Sequence, residues 1–217
     1  MHSDQVHDTI AAALEGHRLL THPFYQRWEA GELSPAELAA YAEQYRHVER
    51  VLPTVLQALV ARLPESAALD LVAATLADEL GRPEPHATLF ESFAAEAGAR
   101  SDVAPTAATN ALIDLHLEAA TTDPVASLAM LAAYEAQAGD IAVSKADGLR
   151  RHYRFTPAGT RFWDVHADME SDHAAWSRDA LSSLGAGPET VGPPAAAAAR
   201  AWWAFLDDRE LSAAAAA

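Results

Sequence analysis

No run of alternating β-branched positions convincing enough for a strand occurs in this chain, whereas Ala, Leu and Glu recur at helical spacing almost throughout. A chain patterned this way must bury helix faces against other helix faces, so an all-α bundle is expected. Segment 5–19 reads as a first helix, and His22-Pro23 begins a short helical turn that Gly31 ends. Ser34-Pro35-Ala36-Glu37 is a capping signature, with Ser34 at N-cap, Pro35 at N1 and Glu37 at N3; it starts a long helix through about Arg62. Further helices are expected over 66–80, 84–97 and 105–120. Asp123-Pro124 opens a long helix to about His152, and Thr156-Pro157 another to about Leu184. A last helix over 193–207 precedes an alanine tail, 212–217, expected to fray. No linker is long enough to divide the chain. The expectation is one domain over residues 1–217, a bundle of seven or eight helices.

The 217 residues include no cysteine, which removes disulfides, thiolate metal ligands and a cysteine nucleophile together. A net charge of −16, from 31 acidic and 15 basic residues, repels phosphate backbones and argues against nucleic acid as a partner. The alanine-rich runs are too short and too weakly apolar to span a bilayer, and Met1–Ile10 lacks the basic and apolar regions of a signal peptide. A soluble cytoplasmic protein is expected.

The stretch His166-Ala-Asp-Met-Glu-Ser-Asp-His173 packs two imidazoles and three carboxylates into eight positions. On a helix His166, Glu170 and His173 fall at i, i+4 and i+7 and share a face, while Asp168 and Asp172 point elsewhere. Glu79 and His86 lie seven apart, with Gly81, Pro83 and Pro85 interrupting the helix between them. Glu135 follows Tyr134 in a very apolar helix, where a lone buried carboxylate would cost on the order of several kcal/mol unless paired. Each residue taken singly has an ordinary reading: a solvated acidic face, a surface imidazole, a core tyrosine at Tyr25, a surface lysine at Lys145. Taken together, Glu79, His86, Glu135, His166, Glu170 and His173 are three carboxylates and three imidazoles, a donor mix that suits two first-row metals such as iron or manganese. Only Glu170/His173 has the Glu-x-x-His form, so the paired pattern of ferritin-like di-iron bundles does not fit.

In chain order, HPFYQRWEAGELS and AYAEQY near the start, LADELG followed by PH, then YEAQ and SK, and finally His-x-x-x-Glu-x-x-His are all present. On these motifs the chain resembles the haem-oxygenase-like di-metal oxidases, in the branch typified by the chlamydial protein associating with death domains. The likeness covers about residues 20–207. It implies a haem-oxygenase-like bundle, two metal ions (Fe, or Fe and Mn), O2 as co-substrate and an external reductant. It also implies formation of para-aminobenzoate for folate. Glu79, His86, Glu135, His166, Glu170 and His173 match the metal ligands, with Glu170 standing where that branch commonly has Asp. Tyr25 and Lys145 match the tyrosine and lysine that the para-aminobenzoate makers consume, and Tyr134 adjoins the Glu135 ligand.

Relatives with the same metal set oxidise free substrates such as fatty or amino acids, which would make Tyr25 and Lys145 pocket residues. The thiaminase-like branch requires a cysteine this chain lacks, and the cofactorless quinone-forming branch uses a cationic, His-rich pocket. A non-enzymatic helical interaction module is the remaining alternative. A homodimer is expected, and the AWWAF segment would suit either its interface or the core.

Overall fold

In the computed structural model the described backbone comprises residues 2–81 and 84–216, and the described side chains exclude those of 2, 3, 170–172 and 213–216. Among these residues all regular structure is helical. The order is α1 (His2–Ala13), a 3-10 turn (Leu19–Thr21), α2 (Pro23–Ala30), α3 (Pro35–Arg62), α4 (Ala67–Gly81), α5 (His86–Glu96), α6 (Ala107–Thr122), α7 (Pro124–His152), α8 (Pro157–Ser183) and α9 (Pro188–Ala216). Among the described residues the α-helices number nine rather than seven or eight, because the short turn after His22 is a full eight-residue helix.

Helix starts follow local chemistry. Ser34 accepts from the Glu37 amide while Glu37 Oε2 accepts from the Ser34 amide at 2.8 Å, a complete capping box. Asp123 accepts from the amides of Val125 and Ala126, and Thr156 from that of Gly159, each just before a proline at N1. Two boundaries differ from expectation. α1 stops at Ala13 because the chain turns through Gly16, whose φ of 78° is left-handed, and then tightens into the 3-10 turn. α9 begins at Pro188 and runs to Ala216, so it carries Pro193 and Pro194 within its second turn. Burial of Val191, Ala195 and Ala198 holds that region helical despite the lost amide bonds.

The bundle interior has two chemically distinct halves. One is aliphatic and alanine-rich, built from Val6, Ile10, Val55, Leu59, Val72 and Leu128 with their neighbours. The other is aromatic, with Phe24, Tyr25, Trp28, Tyr41, Phe90, Phe93, Phe162, Trp163 and Phe205 interlocked. Every long helix crosses from one half to the other. α3 belongs to the aromatic half through Tyr45 and to the aliphatic half from Val55; α7 crosses between Ala133 and Ile141, and α8 between Val165 and Ala180. The break between α4 and α5 likewise separates Val72 from Leu89. Trp202 and Phe205 of the AWWAF segment are buried in the aromatic half of this same chain. No helix among the described residues is long and apolar enough to cross a membrane.

Candidate metal centre

The polar residues expected from the sequence sit at the seam between those halves. Glu79 ends α4, His86 opens α5 after Pro85, Glu135 lies mid-α7, and His166 and His173 lie mid-α8. Ligand atoms of Glu79, His86 and His166 all lie within 4.8 Å of one another, and all three residues are buried. The His86 and His166 rings are 4.6 Å apart between centroids.

Their hydrogen bonding is incomplete among the described residues. Glu79 Oε2 comes within 2.9 Å of His86 Nδ1, yet among the described residues neither atom has a hydrogen-bonding partner in acceptable geometry, and neither does His86 Nε2. Among the described residues His173 Nε2 and Glu135 Oε2 are also buried without a hydrogen-bonding partner, although the first lies 3.7 Å from Asp78 Oδ2. Leaving one such group unmade costs about 1–3 kcal/mol, so a group of them is a donor set that a cation would satisfy. His166 is oriented from behind: its Nδ1 donates to the Phe162 carbonyl at 2.8 Å, which leaves Nε2 with its lone pair toward the cluster. The donor set is oxygen and imidazole nitrogen only, which fits a first-row metal such as iron.

The electrostatics agree. Burial works against ionised Glu79, but the His86 imidazole beside it, with His166 and His173 beyond, holds its carboxyl below the usual range. Burial pushes His166 down to about 4, so it is neutral and ready to ligate. Burial lifts Glu135 to about 7, reinforced by the Glu79 charge and opposed by Ser177. The Glu170 side chain, on α8 between the two histidines, lies outside the described residues. Asp168 is exposed, as its position on the helix predicted.

One carboxylate went unread in the sequence. Glu49 of α3 is 5 % exposed, and burial together with the Glu79 charge holds its carboxyl well above the usual range. Pro53, four residues on, has no amide to donate to the Glu49 carbonyl, although α3 runs on unbroken to Arg62. The signal was available: Tyr41, Tyr45 and Glu49 recur every four residues, on one helix face.

That face also organises the tyrosines. Tyr25 Oη is 3.0 Å from Tyr41 Oη, the Tyr41 and Tyr45 rings are 5.5 Å apart, and Tyr45 Oη is 2.8 Å from Tyr134 Oη. Tyr134 precedes Glu135, so four of the five tyrosines line a path from a metal-ligand candidate to Tyr25. Lys145 is 1 % exposed and donates through Nζ to Tyr41 Oη. Its Nζ lies 4.0 Å above the Trp163 ring and 4.8 Å from the ring centroids of Tyr25, Tyr41 and Tyr45. Burial alone pushes this amine well below the ordinary lysine range, and no carboxylate counteracts it.

A helical bundle with buried Glu and His donors gathered at its centre has the architecture and the donor chemistry of a metal-dependent enzyme. The chain belongs to the iron-containing redox enzyme family, whose model matches residues 39–207. It is 31 % identical to the 4-aminobenzoate synthase of Nitrosomonas europaea over 220 residues, covering 91 % of this chain and 88 % of that one. It is 28 % identical to the 4-aminobenzoate synthase of Chlamydia muridarum, covering 82 % and 78 % of the two chains. A solved domain of unknown function from Shewanella denitrificans with a haem-oxygenase-like fold matches with a TM-score of 0.75 at 19 % identity, over 96 % of this chain and 90 % of that one.

Proposed function

We propose that this oxidoreductase forms 4-aminobenzoate from its own Tyr25, with Lys145 as the amine donor. Glu79, His86, Glu135, His166, Glu170 and His173 would hold two metal ions, Fe or Fe and Mn, with Glu49 as a further carboxylate beside them. Bound metal would supply the activation of O2, with electrons from an external reductant. The remaining work falls to the chain's own groups. The Tyr134–Tyr45 and Tyr41–Tyr25 hydroxyl pairs hold protons along the line from Glu135 to Tyr25. The aromatic half of the core keeps water from that line. Lys145, held neutral, presents a nucleophilic lone pair, which an ordinary surface lysine at neutral pH does not.

The observation carrying this reading is that Tyr25 and Lys145 are both 1 % exposed and share Tyr41 Oη as a common partner. A lysine with no counter-ion among the described residues, buried against three tyrosines, has no structural advantage over a leucine there. The names of the Nitrosomonas and Chlamydia relatives point to the same product. The test is Tyr25→Phe, which keeps the ring and removes one hydroxyl. With iron, reductant and O2 supplied, aminobenzoate should fall below detection while iron content stays unchanged. Undiminished aminobenzoate from the variant would overturn Tyr25 as the ring consumed, whereas turnover of an added fatty or amino acid by the variant would support oxidation of a free substrate.

A further inference from the structure

A cavity separate from the Tyr25–Lys145 cluster opens between α3, α6 and α7. It is lined by Glu49, Leu52, His116, Leu131, Tyr134 and Trp202, among others, and neither Tyr25 nor Lys145 reaches it. Its walls are apolar or aromatic except at a few points, and no Lys or Arg contributes to them. One of those points is anomalous. His116 is 8 % exposed, and both of its ring nitrogens are buried without a hydrogen-bonding partner among the described residues. The ring nitrogen of Trp202 is in the same condition. Burial pushes His116 down to about 4, so it stays a neutral imidazole, with one donor and one acceptor to offer. A buried imidazole left with neither used is an unmet demand of the kind that ligands satisfy.

We infer that this cavity binds a free, neutral, single-ring aromatic molecule bearing one hydroxyl or amino group, with that group on His116. The walls choose the ring: Tyr45, Tyr134 and Trp202 present faces and edges to it, and Leu52, Leu112 and Leu131 close the sides. Without a cationic lining residue the cavity offers an anion nothing, so the neutral form is the one accepted. The cavity measures about 60 Å³. That is less than the ~150 Å³ that encloses a benzene ring. A ring would therefore sit with one edge in the mouth, where Val51 and Ile113 are only half-buried. Glu49 from α3 and Tyr134 from α7 both line it, which sets the bound ring beside the candidate metal centre. The inference holds whichever ring the metal centre oxidises, because it concerns binding and needs no turnover.

Phenol and toluene have the same shape and differ in one hydroxyl, so they make the test. The full-length protein as isolated, carrying nitrogen-labelled histidine, is titrated with each and followed by NMR, with His116→Leu assigning the resonance. Phenol should move the His116 ring-nitrogen signal and toluene should not. His116→Leu should lower the phenol-to-toluene affinity ratio by about five- to tenfold, the worth of one neutral hydrogen bond. Leu131→Trp, which fills the cavity, should abolish binding of both. A His116 signal unmoved by phenol would overturn the inference, as would an affinity ratio unchanged in the leucine variant. Should His116→Leu not fold, the phenol and toluene shifts in the unsubstituted protein, assigned by Leu131→Trp, decide alone.

Discussion

Lys145 is the residue whose placement is hardest to explain by stability. A lysine with its amine buried among Tyr25, Tyr41, Tyr45 and Trp163 holds its proton far less tightly when folded than when unfolded. Protonation therefore favours the unfolded chain. The sign follows directly: the folded pKa is depressed, so the penalty grows as pH falls below the ordinary lysine value near 10 and fades as pH rises to it. Lys145→Met should then stabilise the protein by about 1–3 kcal/mol at pH 7. The gain should shrink towards pH 10. Urea unfolding at the two pH values measures it. Loss of aminobenzoate alongside a gain in stability would separate a functional lysine from a structural one.

Several of these residues were legible in the sequence and others were not, for identifiable reasons. His166 and His173 share a helix face by spacing alone, and the capping residues Ser34, Asp123 and Thr156 act within their own first turn. Glu79 and His86 belong to different helices, so only the order of motifs along the chain linked them. Glu49 passed unread because a single Glu in a long, charged helix looks like any solvated acid until α4 packs its Glu79 nearby. His116 was invisible for a stronger reason: nothing in the spacing of ALIDLHLEA, residues 111–119, distinguishes an imidazole facing a cavity from one facing solvent.

At the scale of elements, α2 carries Tyr25 and is held in place by a close approach to α7. A Cβ added at Gly148 would lie 2.7 Å from Trp28 Cδ1, 2.9 Å from its Nε1 and 3.2 Å from the Trp28 carbonyl oxygen. Trp28 is fully buried, and its indole N–H donates to the Lys145 carbonyl at 3.3 Å, so neither the ring nor the backbone has room to yield. Gly148→Ala should therefore destabilise the fold by about 1–3 kcal/mol through overpacking. It should also push α2, with Tyr25, away from Lys145. A lower midpoint of thermal unfolding and slower product formation at unchanged iron content are the expected readings. Wild-type stability in this variant would mean that the α2–α7 approach is not tight.

Over the whole molecule, the division into an aliphatic and an aromatic half accounts for where the chemistry sits. α3, α7 and α8 each change composition partway along, as does the chain from α4 into α5, and the carboxylates and imidazoles occupy the changeover. The helical class was legible from periodicity alone; the seam was not, because it exists only once the four segments lie side by side. It places the metal donors against an oxidation-resistant aliphatic layer on one side and oxidisable rings on the other. The most direct measurement supplies iron, reductant and O2 to protein grown on ring-labelled tyrosine, with no organic substrate added. Labelled aminobenzoate, stopping at no more than a single equivalent per chain, is the predicted result. Aminobenzoate without the label, or no product until a free substrate is added, would contradict it.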